Sequence, residues 1–310
     1  MKFFIEELSN MKKCLFTVVL LLIGLSLTTD LFASEIKLIK EKSIPAKSGD
    51  NLYVDASGAD VKVFSWDKNE VYIKIYGNER AKDKMEFRIE NVDGGVKVIA
   101  KKKDSWFFSW GGGYSVRIEA SVPYQYNPLI ETSGGDIEVY GLTGKFNLDT
   151  SGGDVLLKDS KGVVDIETSG GDITLNNHKG KAEVSTSGGD IRTIKHNGGL
   201  RASTSGGDIN IESNDGSVSA KTSGGDVEIN YSGSNEGIYA STSGGDIRVT
   251  IPSAFKANVD LETTGGDIDC NFSNSRSNKV KRGELKAEFN GGGEKLVCST
   301  SGGDIDILEK

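Results

Sequence analysis

This sequence predicts an all-β fold, a parallel β-solenoid of 18-residue coils with an N-terminal β cap, and three observations carry that expectation. The phrase Thr-Ser-Gly-Gly-Asp, once Thr-Thr-Gly-Gly-Asp, begins at Thr132, Thr150, Thr168, Thr186, Thr204, Thr222, Thr242, Thr263 and Thr300, at spacings of 18, 18, 18, 18, 18, 20, 21 and 37 residues. A fixed period of this kind marks a stacked repeat architecture. Apolar residues alternate with polar ones on both sides of the phrase, as Val164 and Ile166 do before Thr168 and Ile173 and Leu175 do after Asp172, so each repeat holds two half-buried strands. A second turn then closes each unit around Gly144, Gly162, Gly180, Gly198 and Gly216.

The first element is a leader, residues 1–33. Lys12 and Lys13 precede an apolar stretch from Leu15 to Leu27, and Ala33 stands at a cleavage position, which is the order of a secretory signal peptide. Glu6 and Glu7 do not suit the basic start of such a signal, so Met11 is the expected natural start. Cys14 precedes the apolar stretch and cannot become a lipid-anchored mature terminus. No later window holds the roughly 18 apolar residues of a membrane helix. The mature chain is expected to be exported to the periplasm, the cell surface or the medium.

Residues 34–130 form an N-terminal β region that caps or begins the solenoid. Residues 54–63, VDASGADVKV, match the repeat with Ala56 for Thr and Ala59 for the second Gly, and strand-like EVYIKIYG and GVKVIA follow. Solenoid ends need such caps because bare edges template aggregation. Trp106, Phe107, Phe108 and Trp110 crowd one stretch beside Lys101, Lys102 and Lys103. They either plug the first coil or form an exposed patch suited to peripheral membrane contact or a partner groove.

Residues 131–310 are the repeats proper. A parallel pair needs a long crossover, which a solenoid supplies by winding the chain once around per repeat. Residues 283–300, GELKAEFNGGGEKLVCST, break the register and read as a degenerate coil or a hairpin closing the core. Cys270 and Cys298 fall at inward positions about two coils apart, roughly 10 Å, beyond the about 7 Å Cα limit of a disulfide, so two free thiols are expected. Two cysteines are also too few for a disulfide framework.

Among candidate sites, Asp136, Asp154, Asp172, Asp190, Asp208, Asp226 and Asp246 should stack at one-coil intervals. Neighbouring charges about 4.8 Å apart repel by roughly 0.9 kcal/mol in water and about 3.5 kcal/mol at an effective dielectric of 20. Hydrogen bonds from Ser and Gly amides at the bend would offset that repulsion. A calcium ladder is the alternative, but one carboxylate per coil falls short of the six to eight oxygens calcium takes. Gly134, Gly135, Gly152, Gly153, Gly170, Gly171, Gly188 and Gly189 read as structural turn residues, supplying a bend or a close coil approach that a Cβ would obstruct. His178 and His196, six residues after their Asp in adjacent repeats, read as solvated turn residues rather than half of a metal site. The Ser column beginning at Ser133, Ser151, Ser169 and Ser187 lacks the flat uncharged surroundings of an ice-binding face, since Glu131, Asp149 and Glu167 flank it. No cofactor motif is present, because each Gly-Gly leads into a strand and not a helix.

The formal net charge is -8, and removing residues 1–33 leaves it unchanged because Lys2, Lys12 and Lys13 cancel Glu6, Glu7 and Asp30. Nucleic acid is therefore not an expected partner. A lone carboxylate column lacks the paired acid and base of a glycosidase.

The repeated TSGGDI phrase, VRIEASVP at residues 116–123 and FNGGG at residues 289–293 resemble the bacterial putative-adhesin family of β-strand repeat proteins, a domain of unknown function. The resemblance spans residues 51–310. It implies binding at a surface or envelope and transfers no catalytic residue. The resulting expectation is an exported, non-enzymatic scaffold that presents a repetitive surface to an envelope protein or polysaccharide. The alternatives are a carbohydrate-active β-helix enzyme, by fold analogy, and a calcium-stabilised surface repeat protein.

Overall fold

A computed structural model describes residues 36–103 and 113–310. Residues 1–33, with the expected leader, and Trp106, Phe107, Phe108 and Trp110 lie outside the described residues. Residues Lys37–Lys310 form one compact unit. It is all-β, with a single six-residue helix among the described residues.

In chain order the strands are β1 (Lys37–Pro45), β2 (Asn51–Ala56), β3 (Asp60–Trp66) and β4 (Glu70–Gly77), followed by α1 (Glu79–Lys84), β5 (Met85–Val92), β6 (Gly95–Lys102) and β7 (Val116–Pro123). Next come β8 (Asn127–Thr132), β9 (Ile137–Tyr140), β10 (Thr143–Thr150), β11 (Val155–Thr168), β12 (Ile173–Ser185), β13 (Ile191–His196), β14 (Leu200–Ser203), β15 (Ile209–Ser213) and β16 (Val218–Lys221). The chain continues with β17 (Val227–Tyr231), β18 (Ile238–Ser241), β19 (Ile247–Ile251), β20 (Ala257–Thr263), β21 (Ile268–Asn271), β22 (Ser275–Lys281), β23 (Glu284–Phe289), β24 (Lys295–Thr300) and β25 (Ile305–Glu309). All 25 strands join one hydrogen-bonded sheet.

The 18-residue period sets the pairing. Phe146 pairs with Val164, Val164 with Ala182 and Ala182 with Leu200, all parallel, and after the bend Val155 pairs with Ile173 and Ile173 with Ile191. One strand entering the Gly-Gly bend and one leaving it make a rung; the entering strands form an upstream face and the leaving strands a downstream face. Alternation places Val164, Ile166, Ile173 and Leu175 inside with their equivalents in every rung, and these side chains merge into one continuous core from Ile44 to Ile307. Burying each such side chain is worth about 1.5–3 kcal/mol, so the stack is held by repetition of one modest contribution.

Chain order and rung order differ at both ends. The rung of β2 and β3 lies between that of β6 and β7 and that of β8 and β9. The last rung in the chain, β24 and β25, lies between β18 and β19 on one side and β20 and β21 on the other. Antiparallel strands flank the stack. β5 pairs with β6, β4 with β7 and β1 with β4 at one end, and β23 pairs with β20 and β22 with β23 at the other. The segment that breaks the repeat is thus a hairpin followed by a regular rung. Cys270 and Cys298 consequently sit in adjacent rungs and not two apart, on opposite faces, both as free thiols.

Candidate functional site

The bend is built by three residues of the repeated phrase, each bonded to the rung beneath. Thr168 is buried, and its Oγ1 donates to the carbonyl of Gly153 in the preceding rung at 3.1 Å while accepting from the Gly171 amide at 3.3 Å. Thr150, Thr186, Thr204, Thr222 and Thr242 repeat the arrangement. The Asp column is a second ladder. The amide of Asp172 donates to Oδ1 of Asp154 at 2.8 Å, and that of Asp190 to Asp172 at 2.8 Å. The series runs from Asp60 through Asp136, Asp208, Asp226, Asp246 and Asp304 to Asp267. The donor is therefore the next aspartate's own amide, not a Ser or Gly amide. Gly amides at the bend are engaged elsewhere, the second by Thr Oγ1 and the first by a Ser carbonyl, as Gly188 shows with Ser169 at 3.1 Å. Among the described residues no group of three His, Cys, Asp or Glu is placed to hold a metal ion.

The two glycines of each pair differ. A Cβ on Gly153, Gly171 or Gly189 would meet the carbonyl oxygen of the equivalent glycine one rung below at 2.0–2.1 Å, and on Gly135 the carbonyl of Ala59 at 2.0 Å. Gly134 has open space, and Gly152, Gly170 and Gly188 have ordinary contacts of 3.7 Å or more.

The histidines overturn the expectation of solvated turn residues. His178 and His196 are fully buried, with rings stacked at 5.6 Å, and His178 Nδ1 is 2.8 Å from Ser160 Oγ. Asp159, Asn177 and Lys195 adopt φ of 53°, 55° and 54°, and this left-handed step shifts the alternation by one and turns Ser160, His178 and His196 inward. Simple parity places them outside. Ser213 and Tyr231 continue the column. Among the described residues, His178 Nε2, both ring nitrogens of His196 and the Thr193 hydroxyl have no hydrogen-bond partner. Burial, helped by the neighbouring His196, pushes the His178 pKa down to about 4, and burial lowers that of His196 as well. Burial also raises the thiols, Cys270 to about 11 and Cys298 to about 12, so neither is a ready nucleophile.

The outward side of the downstream face near the N-terminal end carries aromatic and charged rows. One row across neighbouring strands reads Tyr140, Phe64, Ser121, Tyr72, Ser43, and the adjacent row reads Glu138, Lys62, Glu119, Lys74, Glu41. Phe64 stacks on Tyr140 at 5.2 Å and remains 40% exposed, and Trp66 stacks on Tyr72 at 6.3 Å with Lys68 over its ring at 4.7 Å. Lys62 bonds Glu138 at 2.8 Å. Oppositely charged cross-strand neighbours of this kind contribute roughly 0.2–1 kcal/mol each.

The fold and its bends define a class, an all-β repeat protein whose polar bend residues bond rung to rung. The chain belongs to the Toastrack family, DUF4097, which matches residues 49–308. No curated protein matches it. Among solved structures it is similar to a "putative adhesin" from Bacteroides fragilis, at 14% identity over 89% of this chain and 98% of that one with a TM-score of 0.46. It is likewise similar to a "putative adhesin" from Parabacteroides distasonis, at 14% identity over 90% and 98% with a TM-score of 0.48. A third, a "putative lipid binding protein" from Parabacteroides distasonis, shares 12% identity over 87% and 96% with a TM-score of 0.31.

Proposed function

We propose that the protein is an exported, non-enzymatic binding scaffold of the bacterial envelope, a parallel β-solenoid whose 18-residue coils hold a partner-binding face at fixed spacing. Residues 1–33 are its leader, and the antiparallel strands before residue 130 cap the coils. The observation that carries this reading is the outward aromatic row of Tyr140, Phe64 and Tyr72, with Trp66 beside it, on one sheet face. Aromatic side chains left on a rigid surface combine contact area with low conformational cost, as binding surfaces require. The bend residues support it from the other side, because the Thr hydroxyl and one carboxylate oxygen of each Asp are already bonded between rungs. The adhesin names of similar structures agree with this class of role.

The test is capture of envelope material on the immobilised chain, using isolated envelope protein and cell-wall polysaccharide fractions separately. Saturable binding that falls about tenfold or more in Phe64→Ala/Tyr140→Ala, at unchanged thermal stability, is expected. Cleavage of the polysaccharide, or binding indifferent to that pair, overturns the proposal.

A further inference from the structure

The two ends of the sheet are finished differently. At the N-terminal end, Lys40 and Lys42 of β1 reach across the core opening and donate from Nζ to the carbonyls of Phe87 at 2.8 Å and Ile89 at 3.1 Å on β5. These carbonyls lie two residues apart and so point to the same side of β5, the side away from its partner β6. Lysines therefore occupy that edge and block strand addition. At the C-terminal end, β21 pairs with β25 on one side and with no other strand among the described residues. Its core-facing Ile268 and Cys270 are only half-buried, where the equivalent Ile305 and Ile307 are fully buried.

The open end is also stepped. The upstream face continues past β20 by two strands, β23 and β22, while the downstream face stops at β21. A two-strand overhang on one face beside a matching gap on the other is self-complementary about a two-fold axis parallel to the strands. Strand direction fits as well. β22 runs parallel to β20 and hence opposite to β21, and rotation about the strand direction preserves this, so β22 of a second copy meets β21 antiparallel.

Charge agrees with the geometry. The outward side of β21 carries Asp269, which has no ion-pair partner among the described residues, whereas its neighbour Asp306 is held by Arg248 at 2.9 Å. β22 presents exposed Arg276 and Lys281, with Arg282 following. We propose that this stepped end is a homodimer interface in which β21 of each copy pairs with β22 of the other, covering Ile268 and Cys270 and setting Asp269 against the basic strand twice. An isologous contact of this kind closes on itself, and at the opposite end the lysines block strand addition to the β5 edge.

Sedimentation equilibrium of the full chain over a concentration series tests it. A monomer–dimer equilibrium without larger species is expected. Asp269→Lys alone, or Arg276→Glu with Lys281→Glu, should weaken dimerisation about tenfold or more, and combining all three should restore it. In the unmodified chain, maleimide labelling of Cys270 should slow about tenfold between dilute protein and protein well above the dimer Kd. Species beyond a dimer, a chain still monomeric at about 100 μM, indifference to both charge reversals, or labelling independent of concentration each overturns the proposal.

Discussion

A Cβ on Gly189 would stand 2.1 Å from the carbonyl oxygen of Gly171, while one on Gly188 meets nothing nearer than 3.7 Å. Gly188 also lies outside the left-handed region, so its backbone suits an ordinary residue. Gly189→Ala must push two rungs apart and should cost about 2–4 kcal/mol. Gly188→Ala removes freedom from the unfolded chain without a clash and should be neutral or stabilising by about 0.4–1 kcal/mol. Chemical denaturation of the two variants reads this directly, and equal costs would refute the close-approach account. The repeat alone makes both glycines legible as bend residues. It cannot separate them, because the constraint on the second comes from a backbone one rung away and the two letters are the same. The Asp ladder has the same character: the column and its need for donors follow from the spacing, but its donor belongs to the next aspartate and emerges only when the rungs are stacked.

Ser160, His178, His196, Ser213 and Tyr231 form an inward column where the second turn meets the core, flanked by Phe146, whose ring lies edge-on to His178 at 6.5 Å. No carboxylate contributes to the lowered pKa of either imidazole. A histidine whose folded pKa is about 4 against the ordinary 6.5 binds its proton more readily in the unfolded chain. Its contribution to stability is present in full above about pH 6.5 and is lost progressively as the pH falls to about 4, on the order of 3 kcal/mol in total. His178→Phe/His196→Leu should therefore lose less stability than the parent between pH 7.5 and pH 4.5, by about 2–3 kcal/mol in denaturant titrations at the two values. Parallel losses would show that other groups govern acid sensitivity. The strands on either side were legible because alternation survives within each one. The column was not, because one left-handed residue per turn resets the alternation, and Asp159, Asn177 and Lys195 share no sequence letter that announces it.

The rung that ends the chain does not end the stack. β24 and β25 bond to β18 and β19 below and to β20 and β21 above, so residues 257–289 fold onto a surface that is synthesised after them. The gap of 37 residues before the last repeat signals a disturbance there. It does not reveal the order, because every rung carries the same phrase and any rung can stack on any other. That same likeness raises the question of whether removing the last rung lets β20 and β21 drop onto β18 and β19. The connection after β19 argues against it. Phe255 is buried edge-on to Tyr231 at 5.9 Å, and the Asn235 side chain donates to the carbonyl of Lys256 at 2.8 Å, which fixes residues 252–256 at their present height. Dropping by one rung would pull Phe255 from its seat, at a cost of about 3–5 kcal/mol if the ring's packing is lost. Truncation after Gly293 should therefore leave the rungs up to β19 protected while residues 257–289 become rapidly cleaved in limited proteolysis, because both of their faces lose a partner strand at once. Protection of residues 257–289 equal to that in the full chain would mean that the rungs close ranks and that the inserted position of the last one adds nothing to stability.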